Sequence, residues 1–231
     1  MVELRESVTA VVFDLDDTIY PEIDYVRSGF LVIAPCLADP EHHADYVYKL
    51  LEQAFEHGPR DRVFNSVLKL LGRQDSEQVI RELVKLYRDH SPTLKLDKRV
   101  ASTLRKLKRH FKLGLLTDGY LPAQKLKVQA LKLQDTFDHV IYTEELGREF
   151  WKPAVMAFEM MSQALTVEPR RCVYVADNPA KDFVAPHQLG WQTVQLKQDF
   201  QVHPDPEPAP RGQAQNIIHH LTELEKLLSC K

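Results

Sequence analysis

The first sustained apolar run, Val8-Thr-Ala-Val-Val-Phe13, is rich in β-branched residues and apolar on both faces, which predicts a strand buried in a parallel sheet. It ends abruptly in Asp14-Leu-Asp-Asp17. From Pro21 to about His90 no comparable run occurs, and apolar positions recur with helical spacing instead. Tyr46, Leu50, Leu51, Ala54 and Phe55 form one such stripe; Val63, Val67, Leu68 and Leu71 form a second, and Val79, Leu83, Leu86 and Tyr87 a third. Gly58-Pro59 and Gly72 with Ser76 punctuate them. The pattern predicts an all-helical insert.

After Ser91-Pro92 helices and strands alternate. Helices over about 97–110, 122–133, 153–165 and 180–189 lead into strands at Lys112–Thr117, His139–Tyr142, Cys172–Ala176 and Trp191–Gln195. Such alternation predicts an α/β fold, a Rossmann-like parallel sheet with helices on both faces. A proline-rich loop at 203–210 and an amphipathic helix over 214–228 close the chain. The expected division is an α/β core made of 1–20 and 92–231, with a small helical insert at 21–91 after the first strand.

With 231 residues, 44% of them hydrophobic and 27% charged, the chain is long enough for one core plus a small insert and has ordinary globular composition. A net charge of −3 gives no global attraction to nucleic acid or anionic membranes. The helix at 97–110 is locally basic, with Lys98, Arg99, Arg105, Lys106, Lys108 and Arg109, but no aromatic residues are interleaved; it reads as a solvated helix face. Only eight glycines are present, and none builds G-x-G-x-x-G or G-x-x-x-x-G-K-[ST], so the glycine-rich phosphate cradles are excluded. Cys36, Cys172 and Cys230 stand far apart, without a C-x-x-C pair, and no apolar run approaches the ~18 residues of a membrane span. A soluble cytoplasmic protein is expected. The neighbouring pairs His42-His43 and His219-His220 read as surface.

In an open parallel sheet ligands bind at the carboxyl ends of the strands. Those ends read Asp14-Leu-Asp-Asp-Thr18, Thr117-Asp-Gly119 and Asp177-Asn-Pro-Ala-Lys-Asp182, with Lys152 in the loop after the third strand. Asp14, Asp16, Asp177 and Asp182 would converge on one crevice, and several carboxylates so close cannot all stay ionised without a countercharge. An all-oxygen set with no histidine or cysteine favours Mg²⁺. Lys152, Thr117 and the amides at Asp118 and Gly119 supply positive charge and donors for phosphate oxygens.

Phe13-Asp-Leu-Asp-Asp-Thr18, Leu116-Thr-Asp-Gly119, Trp151-Lys-Pro153 and Val175-Ala-Asp-Asn-Pro-Ala-Lys-Asp-Phe183 resemble, in order and spacing, motifs I to IV of the haloacid dehalogenase-like superfamily. The resemblance covers about 8–20 and 93–200, and the helical insert resembles the family's C1-type cap in position and periodicity. It implies that Asp14 is a nucleophile forming an aspartyl-phosphate and that Asp16 is a general acid and base whose backbone carbonyl also meets Mg²⁺. It further implies that Thr18 orients Asp16, that Thr117, Asp118 and Gly119 hold phosphate, and that Lys152 offsets negative charge. Asp177 would ligate the metal; Asp182 would support it or position Lys152. Asp118 stands where the family often has Asn, so its side chain is expected to face away from phosphate, and Ala176 stands where glycine is common. Dehalogenases lack the second aspartate of motif I, so Asp16 argues for phosphoryl chemistry. The implied activity is a Mg²⁺-dependent phosphatase acting on a small phosphorylated metabolite, a sugar phosphate or nucleoside monophosphate. A phosphomutase or phosphotransferase and a non-catalytic phosphate-ligand module are the alternatives. Tyr20, Glu22, Tyr25 and Arg27 are candidate substrate contacts near the cap hinge. No nucleic-acid or membrane partner is expected, and nothing in the sequence indicates an oligomeric state.

Overall fold

The computed structural model describes residues 8–198, 201–202 and 206–228, which places Cys230 and residues 203–205 of the proline-rich stretch outside the described residues. Six strands form one sheet in which every neighbouring pair is parallel: β1 (Ala10–Phe13), β2 (Lys112–Thr117), β3 (His139–Tyr142), β4 (Cys172–Ala176), β5 (Gln192–Leu196) and β6 (Asn216–Ile218), in the order β3-β2-β1-β4-β5-β6. This is the α/β, Rossmann-like arrangement that the alternating pattern predicts. β1, a run of Ala-Val-Val-Phe with every side chain buried, lies mid-sheet between β2 and β4. Order reversal beside β1 brings the carboxyl ends of β1, β2 and β4 together, the place where such sheets bind ligands.

Alternation along the strands sorts their side chains onto two faces. Ala10 and Val12 of β1, Leu116 of β2, and Cys172, Tyr174 and Ala176 of β4 share one cluster with Phe158, Met161 and Leu165 of the helix α7 (Met156–Leu165), and with Phe183 and Trp191. Phe158 is its pivot: its ring meets those of Tyr174 and Trp191 edge-on at 4.9 and 5.6 Å. Truncating so buried a ring removes apolar area and leaves a cavity. Phe158→Ala is therefore expected to cost about 3–5 kcal/mol, read as a drop in Tm; a loss under ~1 kcal/mol would show that the cluster closes over the gap.

Two compact units divide the chain. One comprises Met1–Glu22, Lys95–Tyr120 and Leu131–Lys231 and contains the sheet. The other comprises Ile23–Leu94 and Leu121–Ala130. It is helical: α1 (Glu22–Leu37), α2 (Ala44–His57), α3 (Val63–Leu70) and α4 (Glu77–Asp89), joined by α6 (Ala123–Ala130). Its core runs from Phe30 and Ile33 through Val47, Leu51, Val67 and Leu68 to Leu83. The stripe read on α2 is one position out at its start: Tyr46 is 50% exposed and Val47 fully buried, because the helix begins only at Ala44 and its phase is set by Leu50, Leu51 and Ala54.

Two further sequence expectations differ from the structure. The helix expected over 214–228 is instead the edge strand β6 followed by the short α9 (Glu223–Leu227). Asn216 and Ile218 are buried and Ile217 faces out, and the segment pairs with Val194 to Leu196 of β5. Ladder hydrogen bonds and two β-branched residues outweigh the helical spacing. The helix expected from residue 180 starts later, as α8 (Val184–Leu189), because the Asn178 side chain accepts from the Ala180 N–H at 3.0 Å and holds the preceding residues in a turn. The basic helix α5 (Lys98–Leu107) uses two of its charges internally: Lys106 pairs with Glu225 of α9 at 2.8 Å, and Lys108, just beyond it, donates to the carbonyls of Asp135 and Thr136. The N–H groups of His219 and His220 both donate to Glu223, which fastens the start of α9. Among the described residues no helix is long and apolar enough to cross a membrane.

Candidate active site

The site is assembled from the ends of β1, β2 and β4 and the loop after β3, all within the sheet-bearing unit. Asp14 directly follows β1; its N–H continues the ladder to the Val175 carbonyl at 3.0 Å, which fixes the carboxylate at the centre of the sheet's edge. It is 4% exposed. Lys152, whose side chain is fully buried, donates to Asp14 Oδ1 at 2.8 Å and to the Tyr174 hydroxyl oxygen at 3.1 Å. Tyr174 in turn donates to the Leu116 carbonyl at 3.2 Å. Asp182 Oδ1 forms a buried ion pair with the same ammonium at 2.7 Å. The other Asp182 oxygen accepts from the Asn178 N–H at 2.9 Å.

The buried carboxylates crowd one another. Burial pulls the Lys152 ammonium down, but Asp14 and Asp182 together outweigh it and hold it protonated well above the usual lysine range. Burial, opposed by Lys152 and assisted by Asp182, raises the Asp14 carboxyl to about 6. Asp177 is pushed to about 9, by burial first and then by Asp182, Asp14 and Asp17. Carboxylate oxygens of Asp14, Asp177 and Asp182 lie within 4.8 Å of one another. Even with Lys181 near Lys152, the three buried carboxylates cannot all be ionised, and Asp177 is the one that keeps its proton. Hard oxygen donors in excess of positive charge fit a divalent cation such as Mg²⁺. The side chain of Asp16 is not among the three.

Asp16 sits on the turn after β1 and accepts from the Tyr20 hydroxyl at 2.5 Å. Thr18 is expected to orient it, but its buried hydroxyl has no hydrogen-bond partner among the described residues. Thr117, at the end of β2, is buried, and its hydroxyl donates to the Asp118 carbonyl at 3.3 Å. Gly119 carries the positive φ (138°) that turns the chain there. The Asp118 carboxylate accepts from the Thr143 hydroxyl at 2.8 Å and from the Lys152 N–H at 3.2 Å, with the Lys181 ammonium 3.7 Å away. It clamps the loop that carries Lys152.

Tyr174, Thr143 and Lys181 are site residues that sequence reasoning missed. Tyr174 had a signal: a tyrosine in a fully buried strand needs a partner for its hydroxyl. Among the expected hinge contacts, Glu22 begins α1 and donates its N–H to Asp17 at 2.8 Å. In the helical unit, Tyr25 donates to the Tyr87 carbonyl, its ring lies under the Lys127 ammonium at 4.3 Å, and Arg27 pairs with Glu52 at 3.4 Å.

The family model of the haloacid dehalogenase-like hydrolases matches residues 11–196, the stretch that runs from β1 to β5 and carries these aspartates and Lys152. The chain belongs to that family and is an enzyme of the hydrolase class. It is 29% identical over 198 residues to a glyceraldehyde 3-phosphate phosphatase of Methanopyrus kandleri, covering 82% of this chain and 84% of the relative. It is 26% identical over 249 residues to the human N-acylneuraminate-9-phosphatase, covering 97% and 96%. A Bacillus subtilis HAD-hydrolase crystallised with magnesium shares the fold at a TM-score of 0.69 and 20% identity, covering 96% of this chain and 98% of that one.

Proposed function

We propose that the protein is a Mg²⁺-dependent phosphatase that hydrolyses a small phosphorylated metabolite through an aspartyl-phosphate on Asp14. The observation that carries this reading is the buried Asp14–Lys152 ion pair beside Asp177 and Asp182, with Asp16 two residues further along. Glyceraldehyde 3-phosphate and N-acylneuraminate 9-phosphate, for which the relatives are named, support a phosphomonoester of a sugar or sugar acid as substrate.

Asp14 attacks phosphorus, the bond from phosphorus to the leaving oxygen breaks, and that oxygen takes the proton carried by Asp16 and departs as an alcohol. Asp16 then removes a proton from water; the oxygen of that water attacks the aspartyl-phosphate, releasing inorganic phosphate and restoring Asp14. Lys152 keeps Asp14 ionised and lowers its repulsion toward a phosphate dianion. Thr117 and the Gly119 amide hold phosphate oxygens, and Asp118 keeps the Lys152 loop in place. Asp14, Asp177 and Asp182, with the Asp16 carbonyl, would hold Mg²⁺, which when bound would supply positive charge beside the phosphoryl oxygens.

Two measurements test this. Purified protein screened against phosphate esters is expected to release free phosphate with Mg²⁺, lose the activity in chelator and regain it on adding Mg²⁺; isomerised or transferred phosphate in place of free phosphate would make it a mutase or transferase, and inactivity across the panel would revive the non-catalytic reading. Binding of the cation is also expected to depend on pH. Asp177, raised to about 9 in the folded protein from 3.8, keeps its proton where the unfolded chain loses it. Its contribution to stability without metal thus declines as pH rises from about 4 to about 9, and cation binding must expel the proton. The gain in Tm from saturating Mg²⁺ is expected to be larger at pH 8 than at pH 5. A gain independent of pH would remove Asp177 from the ligand set.

A further inference from the structure

We propose that Tyr20 is the positioning residue that aims Asp16 for proton transfer, the role that the motif resemblance implies for Thr18; this rests on the reading of Asp14 and Asp16 given above. The geometry is that of a fixed donor. Tyr20 is 4% exposed, so its ring cannot swing, and its hydroxyl donates to Asp16 Oδ1 at 2.5 Å. The turn that sets the two residues face to face is fastened at several points. Asp17 adopts a positive φ of 51°, and its carboxylate accepts from the Glu22 N–H at 2.8 Å and the Val202 N–H at 2.7 Å. The Leu15 carbonyl accepts from the Ile19 N–H at 2.9 Å, and Asp16 and Tyr20 form an isolated parallel bridge through their backbones. Thr18 lies inside this turn with its hydroxyl bonded to nothing among the described residues. Asp16 is half-buried, and the bond from Tyr20 ties its carboxylate to a ring that is itself fixed.

The consequence concerns the leaving group. An alkoxide must be protonated as the bond from phosphorus breaks, whereas a nitrophenolate departs without help, so a residue that acts only by aiming the proton donor matters for the first and not for the second. Tyr20→Phe removes one hydroxyl and keeps the ring. It is expected to lower kcat about tenfold on an alkyl phosphate such as glycerol phosphate and less than twofold on p-nitrophenyl phosphate, with KM nearly unchanged on both. In an Asp16→Asn background the same change is expected to add no further selective loss on the alkyl ester. A purely structural role would lower both esters alike. Equal losses, no loss on the alkyl ester, or a full selective loss surviving in the Asp16→Asn background would each overturn the proposal. Should Tyr20→Phe not fold, Tyr20→His, which keeps a ring and a donor, is read on the same two esters: selective loss on the alkyl ester supports the role and uniform loss overturns it. Wild-type protein inactive on both esters with Mg²⁺ would overturn the phosphatase reading and this one with it; an active wild type with uniform loss in the variant overturns only the role of Tyr20.

Discussion

Asp14→Asn is expected to reduce Mg²⁺-dependent phosphate release by at least about 10⁴-fold, with the fold and Tm intact. An amide of the same shape fills the same buried space, so the loss cannot be assigned to packing. It also lifts one of the three carboxylates that burial and mutual repulsion disfavour, so the variant should melt no lower than wild type, and higher in chelator at alkaline pH. The Asp14 carboxyl, raised to about 6 mainly by burial, carries this cost only when ionised. Normal turnover in Asp14→Asn would remove the nucleophile from the account.

Lys152→Met carries the second large effect. The ammonium is a single point charge in contact with Asp14, Asp182 and the Tyr174 hydroxyl, and methionine fills its volume without the charge. Asp14 is then left beside Asp177 and Asp182 with less to keep it ionised, and it holds its proton to higher pH. Phosphate release is expected to fall about a thousandfold at neutral pH, with the residual activity rising toward alkaline pH as Asp14 is finally ionised. Stability follows the opposite course. A carboxyl whose folded pKa is raised loses stability as pH rises, so the Tm deficit of Lys152→Met against wild type should be small near pH 5 and larger near pH 8. Lys152→Arg is expected to restore little, because a planar guanidinium cannot place one charge among three converging oxygens. A deficit that does not change with pH would mean that Lys152 acts through packing alone.

Much of this site is legible along the chain, for a reason specific to parallel sheets. A buried β1 of Ala-Val-Val-Phe ending in Asp-Leu-Asp-Asp announces both a central strand and the charges at its carboxyl end. The ends of β2 and β4 repeat the signal, so the aspartates that gather around Lys152 can be read before any contact is known. What stays hidden is whatever depends on a partner distant in sequence. Tyr174 reads as a core aromatic until Lys152 and Leu116 are seen against its hydroxyl. Asp118 is expected from the sequence to turn its side chain from phosphate, but what it turns to, Thr143 and the Lys152 N–H, is not readable there. Tyr20 reads as a candidate substrate contact near the cap hinge, and the turn held by Asp17 instead brings it back to Asp16. β6 is hidden in the same way. Asn216-Ile-Ile218 has spacing compatible with a helix, and pairing with β5 decides otherwise.

The most direct test of the central claim is to quench the enzyme in acid while it turns over a phosphate ester with Mg²⁺ and to weigh its peptides by mass spectrometry. The account predicts one phosphoryl group, labile to hydroxylamine, on the peptide that carries Asp14, and none in Asp14→Asn. Steady phosphate release with that peptide never modified, under quench conditions that preserve an acyl phosphate standard, would contradict it.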